Sequence, residues 1–514
     1  MSDSEKKTGH LTKYILKYNS NNLIQEMCVE RRITGEKEKS KPHKTILMVG
    51  ATGTGKSTLI NAIVNYMLGV EFNDRIWCEI IETKENQTDS QTKTVTVYDM
   101  HAEEHPFSLT VIDTPGYGST EGIKEDFKTA ETLNELFKSN DGVHEIDVVC
   151  LVVSSANVRL TQEQLYIFDA ILSLFGKDME KNITVLITRS PNRPINAIKA
   201  IKESNVKCAK RADGEPVYFR FDYSYCEAMN ENFEDEEYEE EYEKSWNLSQ
   251  KNMKSFFAFL EKVTTTDLTL TVSVLGNRKQ LISCINKFKM QIEEKEKQKN
   301  ILKLAKTALE QHEKEKKDNN DFEYEVDEPY KEKVLIESSW WHLNKEATCC
   351  SVCEENCHYP GCWWVRDLRW CSVMSDDGKC TLCTRRCNYT EHVKEGKMYI
   401  LKTRKVKKTY EDLKKKYEKE LGEKMSLKNC LEKDIENNEK EKARLVEQSY
   451  QCVLILEKDA LKSETVSTLL HLDFLIEKMK ETNNKERVDK LEDIKKKCED
   501  ACKGLLDYVR PHFE

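Results

Sequence analysis

Apolar positions along the chain follow two regimes. Between residues 45 and 221 they come in short runs rich in β-branched residues: TILMVG (45–50), TVTVYD (94–99), FSLTVI (107–112), DVVCLVV (147–153), ITVLIT (183–188) and VYFRF (217–221). Runs of this length predict strands, and the uninterrupted ones predict strands buried on both faces. The segments between them are long enough for helices, and the first, LINAIVNYML (59–68), has helical spacing. This alternation predicts an α/β domain with a doubly wound, mostly parallel sheet and a ligand at the carboxyl ends of its strands. Met253, Phe256, Phe257 and Leu260 recur at helical spacing and predict a last helix packed on that sheet.

From about residue 270 the pattern lengthens. In 275–315 the positions Leu281, Ile285, Phe288, Ile292, Leu302 and Leu309 mark one helical face, with lysines at 295, 299 and 306 diluting the seam. In 405–445 Leu413, Tyr417, Leu427, Leu431 and Leu445 fall near heptad spacing. Both stretches fit weak coiled-coil arms or amphipathic helices of a bundle. Their similar length, with a cysteine-rich piece between them, suggests an antiparallel pair with that piece at its tip. Residues 451–509 carry denser apolar clusters and predict a helical hairpin broken near Asn483-Asn484. The resulting domain plan is an N-terminal segment (1–40), an α/β domain (41–265), a helical arm (266–340), a cysteine-rich module (341–400), a second arm (401–450) and a C-terminal hairpin (451–514).

Composition narrows the class. Charged residues make up 33% of the 514, which favours long solvated helices. The net charge of −10 argues against a dominant nucleic-acid grip. The start, MSDSEKKTGHLTKY, has no apolar signal region, no apolar run approaches the roughly 20 residues of a membrane span, and the last residues carry no prenylation box. A cytoplasmic protein is expected. In that reducing setting a tight group among the 19 cysteines reads as a metal site more readily than as disulfides. NENFEDEEYEEEYE (230–243) reads as a solvated acidic loop.

The chemistry of the first domain is carried by GATGTGKST, residues 50–58. A strand precedes it and a helix follows, the setting a phosphate-binding loop requires. Gly50, Ala51, Thr52, Gly53, Thr54 and Gly55 offer backbone N–H groups to phosphate oxygens, Lys56 offers charge, Ser57 a hydroxyl for Mg²⁺, and Thr58 continues into the helix. Asp113-Thr114-Pro115-Gly116 ends another strand; its acid suits Mg²⁺ and its glycine N–H a γ-phosphate.

With those motifs, the Thr-rich SQTKTVT (90–96) and DTPGYGSTEGIKED (113–126), the segment from about 41 to 265 resembles the septin-like and immunity-associated (GIMAP/IAN) P-loop GTPases. The resemblance implies GTP/GDP and Mg²⁺ as ligands, and switching or self-association through this domain or the helical arms. It also makes Thr92 or Thr94 the switch threonine on Mg²⁺, and places Thr188 and Arg189 in the strand-end motif (185–190) near the base. The sequence departs from the pattern twice. No acid follows ITRS (187–190) at the spacing of a guanine-reading (N/T)KxD motif. Tyr117 stands where Ras-like enzymes place a water-orienting glutamine, so slow hydrolysis is expected. A non-hydrolysing nucleotide-bound scaffold is the main alternative, and an ATP-using coiled-coil clamp a weaker one.

The cysteine module is a duplication. Cys350, Cys353, Cys357 and Cys362 recur at a 30-residue offset as Cys380, Cys383, Cys387 and His392, with Tyr359 matched by Tyr389. Four S or N donors per copy suit tetrahedral structural zinc, about two ions in all. The copies either bind one ion each or exchange ligand pairs. His358 is an alternative to Cys357, and Cys349 and Cys371 are spare thiols. Trp340, Trp341, Trp363, Trp364 and Trp370 cluster here as a small core or a contact surface. The run 402–416 holds eight basic residues against two acids; nucleic-acid or anionic-membrane contact there is less expected than a solvated helix face.

Overall fold

The computed structural model describes residues 5–8, 11–24, 29–38, 40–82, 94–103, 105–118, 123–155, 161–223, 226, 236–315, 323–336, 346–359, 367–371, 373–375, 377–409, 411–412, 415, 427–481, 484–502 and 505. The chain divides into two compact units. One comprises 1–276, 455–470 and 494–514, the other 277–454 and 471–493.

The first unit is built on an eight-stranded sheet. Its strands are β3 (Asn19–Ile24), β4 (Val29–Thr34), β5 (His43–Gly50), β7 (Thr96–Met100), β8 (Ser108–Asp113), β10 (Val148–Ser154), β11 (Ile183–Thr188) and β12 (Tyr218–Arg220), in the order β12-β11-β10-β5-β8-β7-β4-β3. From β12 to β8 all neighbours are parallel. Every residue of β8, β10 and β11 is buried, which accounts for their mostly apolar sequences. Strand β7 pairs antiparallel with β8, β4 parallel with β7, and β3 antiparallel with β4. The P-loop strand β5 lies between β10 and β8. The register sets Gly50 beside Val152, Met48 beside Asp113, and Ser154 beside Thr188. The carboxyl ends of four strands therefore meet at one edge, where the chain leaves in opposite directions.

The N-terminal 40 residues, read only as a segment, add β3 and β4 to this sheet, and Val29 is fully buried there. They also supply β1 (Glu5–Thr8) and β2 (Leu11–Ile15), which form a small sheet with β6 (Ile76–Glu79); elsewhere in this unit β9 (Glu145–Ile146) pairs antiparallel with β13 (Thr266–Asp267). NSNNLI and VERRIT carry too few apolar residues to announce strands that gain their burial only from β7.

Helix α1 (Lys56–Met67) follows the loop and is pinned from within. Asn61 and Asn65 are both fully buried. The Asn61 amide donates to Ile81 O at 2.8 Å and its oxygen accepts from Ile80 N and Ile81 N at 3.0 Å. Asn65 closes a two-bond ring with Cys78, at 2.8 and 2.9 Å. Two amide side chains thus replace the missing neighbour of the β6 backbone. Helices α2 (Ile123–Lys138), α3 (Gln162–Leu172), α4 (Ile195–Glu203) and α5 (Glu236–Lys262) complete the layers. Met253, Phe256, Phe257 and Leu260 of α5 are at most 4% exposed, and Phe257 stacks on Phe107 at 5.6 Å between ring centres. Residues 455–470 return to this unit, where Lys462 pairs with Asp169 at 2.7 Å and Leu461 N donates to Phe175 O at 3.0 Å.

Helix α6 (Thr269–Glu315) enters the second unit at Asn277, and helix α7 (Leu427–Asp459) also lies largely in it. The two run antiparallel: Lys306 pairs with Glu432 at 2.6 Å and, two turns along each helix, Lys299 pairs with Glu439. Leu281, Ile285, Ile292, Leu302 and Ala305 of α6 are buried. Between the helices the structure departs from two helical arms. Strand β14 (Glu323–Leu335) and strand β18 (Lys397–Thr409) form a 13-residue antiparallel ribbon, from Glu323↔Thr409 to Leu335↔Lys397. The basic run expected on a helix therefore begins in a strand. There Lys402 pairs with Glu332 at 2.6 Å, and Arg404 and Lys408 with Glu328 at 2.8 and 2.7 Å. Helices α8 (Val466–Lys480) and α9 (Lys485–Ala501) break where expected, with Asn484 Oδ1 capping Arg487 N at 3.2 Å. No helix among the described residues is long and apolar enough to cross a membrane.

Replacing Asn61 with leucine leaves three buried backbone groups of the β6 segment without partners. A stability loss of about 3 kcal/mol is expected in urea unfolding followed by tryptophan fluorescence.

Candidate nucleotide site and cysteine cluster

Residues 50–56 form a tight loop whose shape depends on contacts with three strands. Gly50 lies so close to β10 that a Cβ would stand 2.4 Å from Val152 O. Gly53 and Gly55 take φ of 74° and 86°, a left-handed backbone that leads into α1. Thr54 Oγ1 donates to Ala51 O at 2.8 Å. The loop is fastened to the segment after β8: Tyr117 N donates to Gly50 O at 3.1 Å, Thr52 N to Tyr117 O at 3.0 Å, and Thr52 Oγ1 to Gly116 O at 3.1 Å. A Cβ on Gly116 would come within 2.4 Å of Thr52 Oγ1, so only glycine permits this approach.

Lys56 is 7% exposed, and its ammonium donates to Gly50 O and Ala51 O, both at 3.0 Å. An ammonium has three donors, so one remains for an anion. Burial pulls Lys56 down to about 8, against the raising influence of the Asp113 carboxylate. Asp113 is fully buried at the end of β8. Ser57 is the second residue of α1 and is half-buried. A phosphate cradle, a buried cation, a hydroxyl and a carboxylate therefore converge at one edge of the sheet, a donor set that suits a Mg²⁺-bound polyphosphate.

Other predicted residues fall differently. Thr92 lies outside the described residues; Thr94 is described and half-buried. Thr188 acts on the loop itself, since its hydroxyl donates to Thr54 O at 2.6 Å. Arg189 is exposed with φ of 50°, and Ser155 Oγ donates to its carbonyl. Tyr117 is 1% exposed, so the side chain after Gly116 points into the protein. Burial pushes its phenol well up, helped by the negative Asp126. Asp126 was not singled out from sequence, yet it accepts from Gly118 N at 3.3 Å and ties this segment to α2. Thr114 was also missed, and donates to Met48 O at 2.9 Å. Both are polar residues within an otherwise recognisable motif, and neither has a spacing that marks its role.

In the second unit the cysteines gather across the two copies. Strands β15 (Ala347–Cys350), β16 (Glu355–His358) and β17 (His392–Glu395) form a sheet in the order β16-β15-β17, in which Cys350 faces His392. One set of donors is Cys350, Cys353, Cys383 and Cys387; the other is Cys357, Cys380, Cys383 and His392. Within each set the donor atoms lie within 4.8 Å of one another. Each set of donors thus draws on both copies, an arrangement the sequence leaves open. Glu355 joins them as well, accepting from Thr384 N at 3.1 Å. Cys353 and Cys387 sulfurs are 3.7 Å apart, far beyond a disulfide at about 2.05 Å and close to the roughly 3.8 Å edge of a tetrahedron with ~2.3 Å metal–sulfur bonds. His392 Nδ1 lies 2.9 Å from Asn388 O, while Nε2 is buried without a hydrogen-bond partner. This is the arrangement of a metal-binding imidazole. Hydrogen bonds from Cys357 and Cys380 pull the Cys383 thiol far below its ordinary range. His358 instead meets Cys371, Nδ1 to Sγ at 3.4 Å, and Cys349 Sγ donates to Asn356 Oδ1 at 3.3 Å. Burial raises Cys349 to about 11. Cys362, Trp340, Trp341, Trp363 and Trp364 lie outside the described residues.

Residues 44–200 match the model of the AIG1 family. Immune-associated nucleotide-binding protein 13 of Arabidopsis thaliana is 33% identical over 150 residues, 29% of this chain and 38% of that protein. Septin-2 of Mus musculus is 35% identical over 85 residues, 16% of this chain and 22% of septin-2. The chain therefore spans well under half the length of these relatives. Toc33 of Arabidopsis thaliana, solved in complex with Mg²⁺ and GMPPNP, aligns with a TM-score of 0.30 at 14% identity, over 44% of this chain and 88% of that one.

The Lys56 charge has a consequence for pH. Below about 8 the ammonium is charged, and above it the free protein loses the proton that a bound phosphate needs. Phosphate-ligand affinity is therefore expected to fall as pH rises from 7 to 9.5, approaching a factor of about ten per unit above 8. Isothermal titration with a non-hydrolysable nucleoside triphosphate across that range measures it. In Lys56→Arg, whose guanidinium keeps its charge, the remaining affinity is expected to be flat over the same range.

Proposed function

We propose that the AIG1-family domain binds Mg²⁺–GTP and hydrolyses it slowly, as a switch that controls self-association or partner docking. The observation that carries this reading is the convergence of the buried Lys56 ammonium, Ser57 and Asp113 at the ends of β5 and β8. Lys56 and the loop N–H groups hold the phosphates, while Ser57 and Asp113 hold Mg²⁺, which supplies charge neutralisation at the β- and γ-oxygens. Gly116 offers its N–H to the γ-phosphate. GTP over ATP is supported by the family match, since no base-reading acid follows Thr188-Arg189. Slow turnover is supported by Tyr117, buried where a water-orienting side chain would need to face the phosphate. The same burial favours the second reading, a nucleotide-bound scaffold that does not turn over.

In this proposal the antiparallel helices α6 and α7 act as a coiled-coil stalk, and the Cys/His module carries structural zinc. A four-sulfur set and a three-sulfur, one-nitrogen set leave no open position for substrate, which suits structure and not catalysis. The site is cytoplasmic in this reading, where the thiols stay reduced.

The test compares binding of mant-GTP and mant-ATP and measures phosphate release by the full chain. GTP is expected to bind more tightly. Lys56→Ala is expected to lose on the order of a hundredfold in affinity, about 2.7 kcal/mol, together with any phosphate release. Preference for ATP overturns the guanine assignment. Binding without protein-dependent release leaves the scaffold reading in place of the switch.

A further inference from the structure

The two donor sets of the cysteine module have one residue in common. Cys383 belongs with Cys350, Cys353 and Cys387, and equally with Cys357, Cys380 and His392. Withdrawn from either, it leaves three ligands there among the described residues, one short of the four that structural zinc takes. We propose that the module holds a binuclear zinc cluster in which the Cys383 thiolate bridges both ions. This rests on the zinc reading above and deepens it: the ions are neighbours sharing a ligand, in place of two separate knuckles.

Three further features support the shared sulfur. First, the β15–β17 register sets Cys350 directly opposite His392, although they belong to different sets. Opposed residues of an antiparallel pair have Cα atoms about 4.5–5.5 Å apart, so the two centres are adjacent. Second, backbone donors converge on these sulfurs. Cys387 N donates to Cys383 Sγ at 3.0 Å, Cys383 N and Leu382 N to Cys380 Sγ at 3.3 and 3.4 Å, and Cys353 N to Cys350 Sγ at 3.3 Å. Such bonds offset negative charge on thiolates held away from water. Third, sharing limits that charge. Six thiolates and a neutral imidazole around two Zn²⁺ leave a net −2, whereas separate four-cysteine and three-cysteine, one-histidine sites leave −3. Binding displaces six thiol protons to solvent, with no change of oxidation state.

The assignment also makes the two sequence copies unequal. In a self-contained first copy Cys362 is the fourth ligand; in the bridged cluster both coordination shells are complete without it. The bridged cluster crosses the repeat at every centre. One ion takes Cys350 and Cys353 from the first copy with Cys383 and Cys387 from the second. The other takes Cys357 from the first copy with Cys380, Cys383 and His392 from the second.

The experiment uses the full chain purified with zinc. Elemental analysis is expected to give about two zinc ions per chain, and zinc-edge X-ray absorption a metal–metal scattering path with mostly sulfur in the first shell. Cys383→Ser is expected to fall from about two ions to below one, because both sites lose a ligand. Cys362→Ala and Cys371→Ser are expected to keep two. Two ions without a metal–metal path, or Cys383→Ser retaining one full equivalent, overturns the bridge while leaving the zinc reading intact. Loss of one ion in Cys362→Ala points to a self-contained first copy and overturns it as well. Wild-type protein that is folded, reduced and free of zinc overturns both. The scattering path is read on wild-type protein, so the outcome stands even where a variant fails to fold.

Discussion

A positive charge held out of water at Lys56 is the constraint on which the first unit turns. An ammonium stays charged in such a place only where oxygens surround it, and the loop's own carbonyls at Gly50 and Ala51 provide two. Those carbonyls face inward because the loop is pulled tight from three sides. Val152 O leaves no room for a side chain on Gly50, Tyr117 and Gly116 take hydrogen bonds from Thr52, and Thr188 holds Thr54 O. The contacts come from residues up to 134 positions away along the chain, and only the parallel sheet brings them to one edge. The glycine pattern is the visible end of a larger requirement. The loop can hold its cation because the carboxyl ends of β8, β10 and β11 all lie along its edge of the sheet.

That dependence explains what could be read from the chain. Strands buried on both faces leave a continuous apolar run, and the five that follow β5 in the eight-stranded sheet, at 96–100, 108–113, 148–154, 183–188 and 218–220, all overlap predicted ones. Strands β3 and β4 have no such run, because their partners lie at the sheet's margin and their side chains are asparagine, arginine and glutamate. The phosphate loop was legible because its chemistry is local, confined to nine consecutive residues. The bracing by Thr188 and the tie from Asp126 were not, since a hydroxyl or a carboxylate gives no sign of which distant carbonyl or N–H it will meet.

The second unit shows the limit more sharply. EYEVDEPYKEKVL and KMYILKTRKVKKT are dense in charge, and a charged stretch with one apolar residue in about three fits a solvated helix as well as a strand. What selects the strand is the other strand: Glu328 meets Arg404 and Lys408, and Glu332 meets Lys402, more than sixty residues away. The lysines that appeared to weaken the α6 seam have a similar explanation. Lys299 and Lys306 sit at seam spacing and reach Glu439 and Glu432, so they mark where α7 lies. Exposed pairs of this kind contribute about 0–1 kcal/mol each, so they specify register more than they hold the helices together.

The ribbon of β14 and β18 then poses a problem of stability. A two-stranded ribbon is marginal in water, because one ladder buries little apolar surface. Beyond its open end the chain runs into the cysteine module, where Ile336, Ala347, Cys349 and Tyr399 form a small buried apolar group among the described residues. Asn356 clamps β16 to Tyr399 through two bonds of 2.8 Å, and Ile336 N donates to Gly396 O at 3.0 Å. These bonds give direction, but little driving force, since each exchanges a partner in water for one in the protein. In the proposed zinc cluster, metal cross-links would add to what this small group supplies. The cysteines sit at the point of need, and their exchange across the repeat determines what the cross-link does. Two self-contained knuckles would stiffen two loops and leave the strands between them to pair unaided. In the proposed cluster, ligand sets that each draw on both copies would fasten 350–357 to 380–392 and so hold together β14 and β18, the two strands between which the module lies. On that reading the duplication supplies the ligands, and the crossing between its halves makes them a clamp on the ribbon.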